Sequence, residues 1–237
     1  MLKIVWNLPN ILTILRFLIV PFFIVLLFDK TYTGRLIALI LFSIASITDL
    51  FDGYLARKWN QETEFGKFLD PLADKALVLG AFVTFIFISD QIQIWMVLCI
   101  LGRDLLITIL RSLAIRKGSS IKTSMFGKLK TVFQMLSIVL ILFSFLMISY
   151  KERNVINEIY YHAQLNGIDP WSVAVDNAVN FFQGKYSGGN VAYGLATFTP
   201  YFLMLVTTIL TIVSGLRYLV TNYELLIPER FTVKKKR

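Results

Sequence analysis

The sequence predicts an all-α, polytopic integral membrane protein: six transmembrane helices behind an N-terminal juxtamembrane segment. Three observations lead there. Of the 237 residues, 56% are hydrophobic and only 16% charged, where a soluble domain carries about a quarter charged. Apolar runs of roughly 20 residues, the length that crosses a bilayer core, recur along the chain. Most Lys and Arg flank those runs. A single membrane domain over 1–237 follows, and the positive-inside rule explains the net charge of +9 better than a nucleic-acid partner does.

The elements follow in order. Residues 1–10, MLKIVWNLPN, are amphipathic, and Trp6 suits the headgroup region. The first helix is expected over 11–28, bent at Pro21. Its Arg16, and the lack of a small-residue cleavage site before DKTYTG, argue against a signal peptide. Further helices are expected over 36–58, 66–88, 92–115, 128–148 and 198–220, joined by NQETEF, SDQ, the basic RKGSSIKTSMFGK and a long polar stretch. That stretch, 150–197, contains Pro170, Gly188 and Gly189 and reads as an extracytoplasmic insertion with one or two amphipathic helices. His162, Asp169 and Asp176 within it read as a solvated face. The lone Cys99 lies in an apolar run and forms no intrachain disulfide. His162 is the only histidine and is remote from the acidic cluster, which argues against a His-based metal site or a Ser-His-Asp triad.

Orientation follows from charge. With the N-terminus inside, only Lys30, Arg35, Lys151, Arg153 and Lys185 of the 24 Lys and Arg fall outside. Asp49, Asp52, Asp70 and Asp74 then lie in the inner halves of the second and third helices. Arg16, Arg111, Lys128, Lys130 and Arg217 lie toward inner helix ends, and Arg103 and Asp104 near mid-membrane. The pattern predicts a polar cavity open to the cytoplasm, with Asp104 and Arg111, seven residues apart, as a structural ion pair.

Asp49 and Asp52 are spaced i, i+3, and Asp70 and Asp74 i, i+4, so each pair shares one helix face. Four carboxylates in a membrane segment stay ionised only if cations neutralise them. Oxygen-only ligands suit Mg²⁺ or Mn²⁺ (or Ca²⁺) rather than zinc or copper, and four Asp have room for two ions. Gly53 and Gly66 each cost about 1 kcal/mol in a helix, which points to close approach of a ligand; Ala56 is small, and Arg57 can meet a phosphate.

Asp49, Asp52, Gly53, Ala56, Arg57, Gly66, Asp70 and Asp74 match the signature D-x2-D-G-x2-A-R-x8-G-x3-D-x3-D without departure. On these residues the chain resembles the CDP-alcohol phosphotransferase family. The resemblance implies a six-helix enzyme, usually a homodimer, in which the four aspartates share two divalent ions and Asp74 takes the proton of the acceptor hydroxyl. It implies contact of Asn10, Asp49, Asp52, Gly53, Ala56, Arg57, Gly66 and Lys67 with the CDP-lipid. NLPNILTILR (7–16), GRDLLITILR (102–111) and GKLKTVFQM (127–135) resemble the bacterial phosphatidylglycerophosphate synthases within that family, although Arg103-Asp104 stands where Arg-Glu is frequent there. Expected substrates are CDP-diacylglycerol and glycerol 3-phosphate, and the expected location is the bacterial inner membrane. Arg111, Lys128 and Lys130 are the expected cradle for the acceptor phosphate. Phosphatidylglycerol, inositol phosphate or serine as acceptor would use the same chemistry. A divalent-cation transporter is a different reading, but LIALILFSIA and LVLGAFVTFIFI offer no ligands on the outer side.

Overall fold

The computed structural model describes the backbone of residues 8–58, 64–116, 125–186 and 190–222, and the side chains of 10–48, 72–73, 75–112, 129–186 and 190–222. Among the described residues the chain is all-helical. The elements are α1 (Leu8–Leu27), α2 (Tyr32–Lys58), α3 (Glu64–Ile88), α4 (Ile94–Arg116), α5 (Met125–Met147), α6 (Tyr150–Leu165), α7 (Pro170–Phe182), α8 (Val191–Ala196) and α9 (Thr199–Thr221). The six long helices fall within a few residues of the expected ranges, and α1 runs through Pro21.

Three segments are long and apolar enough to cross a membrane: Asn10–Leu27, Leu129–Met147 and Val191–Thr221. Tyr32–Thr48 and Lys75–Ile88 are apolar but shorter. The remainder of each helix carries the acidic signature.

α1 packs on both α2 and α3, α5 touches both from elsewhere, and α9 packs on α4 and α5. Aromatic rings fill the centre: Phe23 meets Phe42 at 5.4 Å, and Phe85 meets Phe145 at 5.9 Å. Gly80 lets α1 and α3 approach closely, since a Cβ there would stand 3.1 Å from Ile24 Cδ1. Polar pairs join other helices, as where Ser137 and Thr207 share a buried 2.6 Å hydrogen bond.

The 150–197 stretch holds three helices among its described residues, one more than expected at most. α8 has six residues, initiated by Asn190 accepting from the Ala192 and Tyr193 N–H groups, and is too short to leave a periodic signal. α6 starts with a Ser149–Glu152 capping box and buries Arg153, Ile156, Tyr160 and Ala163 on one face. Gly167, with φ 72°, supplies the left-handed residue that turns the chain after α6, and Pro170 opens α7. His162, Asp169 and Asp176 are exposed, as a solvated face requires. The segment is fastened to the α3–α4 connection: Asn157 Nδ2 donates to Ile88 O at 3.1 Å, and Gln91 Nε2 to Ala196 O at 2.9 Å.

Candidate active site

The signature divides between two helices. Asp49, Asp52, Gly53, Ala56 and Arg57 lie in the last ten residues of α2; Gly66, Lys67, Asp70 and Asp74 lie in the first eleven of α3. Their side chains, with that of Lys128, lie outside the described residues, so their geometry is that of the helices carrying them.

Packing around α1 sets the heights. Phe42 of α2 meets Phe23, and Gly80 of α3 faces Val20 and Ile24, so Phe42 and Gly80 share a level. Nearer the other end, Phe85 packs on Phe145 while Arg35 donates to the Phe145 carbonyl, so positions 35 and 85 share a second level. α2 and α3 are therefore antiparallel. Asp52 stands ten residues beyond Phe42, and Asp70 ten before Gly80. Both are about 15 Å from the reference level at 1.5 Å per residue. Asp49 stands seven beyond Phe42 and Asp74 six before Gly80, both about 10 Å away. The four aspartate positions thus come in two tiers of matched height along the helix axes. Among the described residues, α2 and α3 each pack extensively on α1.

α1 brings its own polar side chains to these tiers. Arg16 is seven residues before Phe23, at the height of Asp49 and Asp74; Thr13 is ten before, at the height of Asp52 and Asp70. Asn10, Thr13 and Arg16 are 3%, 1% and 1% exposed and each has a partner. The same face continues as buried Val20, Phe23 and Leu27, so one stripe of α1 is polar at the heights of the signature positions and apolar above them. Thr13 went unnoticed in the sequence, although its spacing of three from Asn10 and Arg16 was there to be read.

A second polar zone adjoins the first. Lys75, next to Asp74 in α3, bonds Thr108 of α4 through its ammonium. Asp104 accepts from Lys130 of α5 and, at 3.1 Å, from Arg103, whose Nη2 donates to Ser214 Oγ of α9 at 2.6 Å. The expected Asp104–Arg111 pair is not formed. Two turns separate those residues, about 10 Å along the axis, whereas Lys130 comes directly across from the neighbouring helix. Arg111 is exposed instead, and Lys130 is 6% exposed with its charge already engaged by Asp104. Gln134 Nε2 and Thr211 Oγ1 nearby in sequence are buried and without a partner among the described residues. None of Gln134, Ser137, Thr207, Thr211 and Ser214 was singled out as a buried seam from the sequence, because small hydroxyls spread along apolar helices carry little periodic contrast.

The donor set on α2 and α3 is all carboxylate, without His or Cys on either helix. In two matched tiers such a set fits hard, oxygen-seeking divalent cations. The model of the CDP-alcohol phosphatidyltransferase family matches residues 6–165, two thirds of the chain and all of the signature. The chain belongs to the CDP-alcohol phosphatidyltransferase family. Among curated relatives, the CDP-diacylglycerol–glycerol-3-phosphate 3-phosphatidyltransferase of Salmonella typhimurium is 39% identical over 139 residues, covering 56% of this chain and 75% of the relative. The Escherichia coli K12 protein of the same name is 37% identical over the same shares. As a family member the chain carries its signature wholly on α2 and α3, and α7, α8 and α9 lie beyond the matched residues.

Proposed function

We propose that this protein transfers a phosphatidyl group from CDP-diacylglycerol to glycerol 3-phosphate, giving phosphatidylglycerophosphate and CMP. The observation that carries the reading is the pair of aspartate tiers on antiparallel α2 and α3, in a chain that shares 39% identity with relatives named for that reaction.

Asp49, Asp52, Asp70 and Asp74 would hold two divalent ions, Mg²⁺ or Mn²⁺. Bound there, such ions supply charge neutralisation at the donor pyrophosphate and the departing phosphate. The chain's own residues do the rest. Gly53, Ala56 and Gly66 keep side-chain bulk away from the nucleotide, while Arg57, Lys67 and Asn10 bind its polar groups. Asp74 accepts the proton of the primary hydroxyl of glycerol 3-phosphate. The hydroxyl oxygen forms a bond to the β-phosphorus of the donor, the bond from that phosphorus to the CMP oxygen breaks, and CMP leaves with the electron pair. Arg111, Lys128 and Lys130 bind the acceptor phosphate, with Asp104 positioning Lys130. The exposure of Arg111 suits a residue that meets a soluble acceptor.

Six crossings are supported by length: α2, α3 and α4 have 27, 25 and 23 residues, and each exceeds about 30 Å at 1.5 Å per residue. In this reading the aspartate tiers face the cytoplasm in a bacterial inner membrane, 150–197 is extracytoplasmic, and the enzyme is a homodimer. Acceptor competition decides the central point. Purified protein with CDP-diacylglycerol and Mg²⁺ or Mn²⁺ is expected to release CMP with glycerol 3-phosphate, and not with inositol phosphate, serine or phosphatidylglycerol. Release with one of those alone would reassign the acceptor. Metal flux into proteoliposomes without CMP release would replace the enzyme by a transporter.

A further inference from the structure

The charge distribution leaves five basic residues on the side away from the aspartates, and two of them are buried together. Arg35 is 8% exposed and Arg153 4% exposed. They line one small cavity with Leu27, Ile88, Leu142 and Phe145. They come from α2 and α6, 118 residues apart, and Arg153 lies in the first turn of α6.

Neither guanidinium is ion-paired among the described residues. Arg35 Nη1 donates to the carbonyls of Phe145 and Ile148, both at 2.6 Å, and so caps the end of α5. Carbonyls are neutral and leave the net charge in place. Arg153 stacks 5.4 Å from the Phe145 ring centre and 5.2 Å from that of Tyr150, whose ring Lys30 also approaches at 5.1 Å. Its Nε is buried with no hydrogen-bond partner. Of the nearby acids, Asp29 is exposed, accepts from the Thr31 N–H at 2.8 Å and attracts Arg35 without forming an ion pair with it, and Glu152 accepts from the Ser149 N–H at 2.7 Å. Burial lowers the Arg153 pKa from the usual arginine value, and Arg35 pushes it the same way. Two desolvated cations that repel one another, with donors left over, form a site for an anion.

We propose that Arg35 and Arg153 bind a phosphate oxyanion at the end of the bundle opposite the aspartates. Arginine forks match phosphate oxygens in a way that they do not match a spherical halide. The cavity is narrow and apolar apart from the two guanidiniums, so the ligand stays at its mouth with its oxygens toward them. Exposed Phe28, Tyr32, Val155 and Ile159 on the contributing helices and turns suit acyl chains, which favours a phospholipid headgroup over free phosphate.

The test uses the full chain in neutral detergent, with Tm and equilibrium binding measured against dioctanoyl phosphatidylglycerol, inorganic phosphate, sodium chloride at matched ionic strength, and dioctanoylglycerol. The phospholipid is expected to raise the Tm by about 3–5 °C. In Arg153→Met, which keeps the aromatic stacking volume, the shift should vanish and the affinity fall at least about tenfold. Arg153→Lys should retain part of it. A response to the phospholipid alone identifies a headgroup; a response to inorganic phosphate as well identifies phosphate in general. An equal response to chloride or to dioctanoylglycerol, or a wild-type response in Arg153→Met, would overturn the proposal. CMP release should persist in Arg153→Met, since Arg35 is 14 residues from Asp49 on α2, about 21 Å along the axis. This separates failure of the anion site from failure of the catalytic reading.

Discussion

At one end of the bundle, four aspartates stand in two tiers on α2 and α3, with buried Arg16 at the upper tier's height. At the other end, Arg35 and Arg153 share a cavity without an ion-paired carboxylate among the described residues. Both ends place charge on apolar helices, but they are built differently. The acidic end is assembled from residues three or four apart on single helices, repeated on two helices joined by a short connection. The basic end is assembled from two residues that only packing brings together. A site made by helical periodicity survives small changes in helix packing, whereas a site made by convergence depends on the register of α2, α5 and α6.

Substitutions that strike each end separately can break or sharpen that contrast. The largest effect is expected at the acidic tiers. Asp74→Asn should lower CMP release by about 100-fold or more, because a positioned base contributes on that order, while a melting curve stays close to the native one. Turnover within a factor of two of wild type would remove Asp74 from the base role. Next comes Asp104, which compensates Lys130 and Arg103. Asp104→Asn leaves two largely buried cations and should destabilise the protein by about 3 kcal/mol. Combining it with Lys130→Met should cost less than the two single losses added together, and strict additivity in denaturation would show that the pair is not coupled.

Arg111 offers a smaller, kinetic contrast. Arg111→Gln should raise KM for glycerol 3-phosphate about tenfold, roughly 1.4 kcal/mol, and leave KM for CDP-diacylglycerol alone. A rise in the donor KM instead would move Arg111 out of the acceptor cradle. The smallest effect belongs to the α6 start. Ser149→Ala should cost about 1 kcal/mol, read as reduced hydrogen-exchange protection of α6. Glu152 sharpens this through pH. The Ser149 N–H, then its hydroxyl, hold its carboxyl below the usual glutamate value, so its stabilisation is complete above that usual value and is lost as pH falls through the lowered one. Thermal scans from pH 7 to 3 should show a drop in wild type that Glu152→Gln lacks.

Much of this architecture was legible because it is local. The long apolar runs mark six of the nine helices among the described residues, and the aspartate spacings put each carboxylate pair on one face. The seam of Gln134, Ser137, Thr207 and Ser214 was not legible, since hydroxyls on apolar helices look alike until a partner helix faces them. Asp104 is the clearest miss: along the chain Arg111 is an available partner, but axial rise keeps the two apart and α5 supplies Lys130 instead. α8 escaped because six residues hold too few periods.

The sequence by itself determined the helical class, the membrane-like composition and the acidic signature, because hydrophobic content and helical period are properties of neighbouring residues. Only the tertiary structure decided which heights coincide: Asp52 with Asp70, Asp49 with Asp74, and Arg16 beside the latter. It alone brought Arg153 to Arg35. Those facts depend on how distant helices slide and rotate against one another, and close packing around Phe23, Gly80 and Phe145 fixes that.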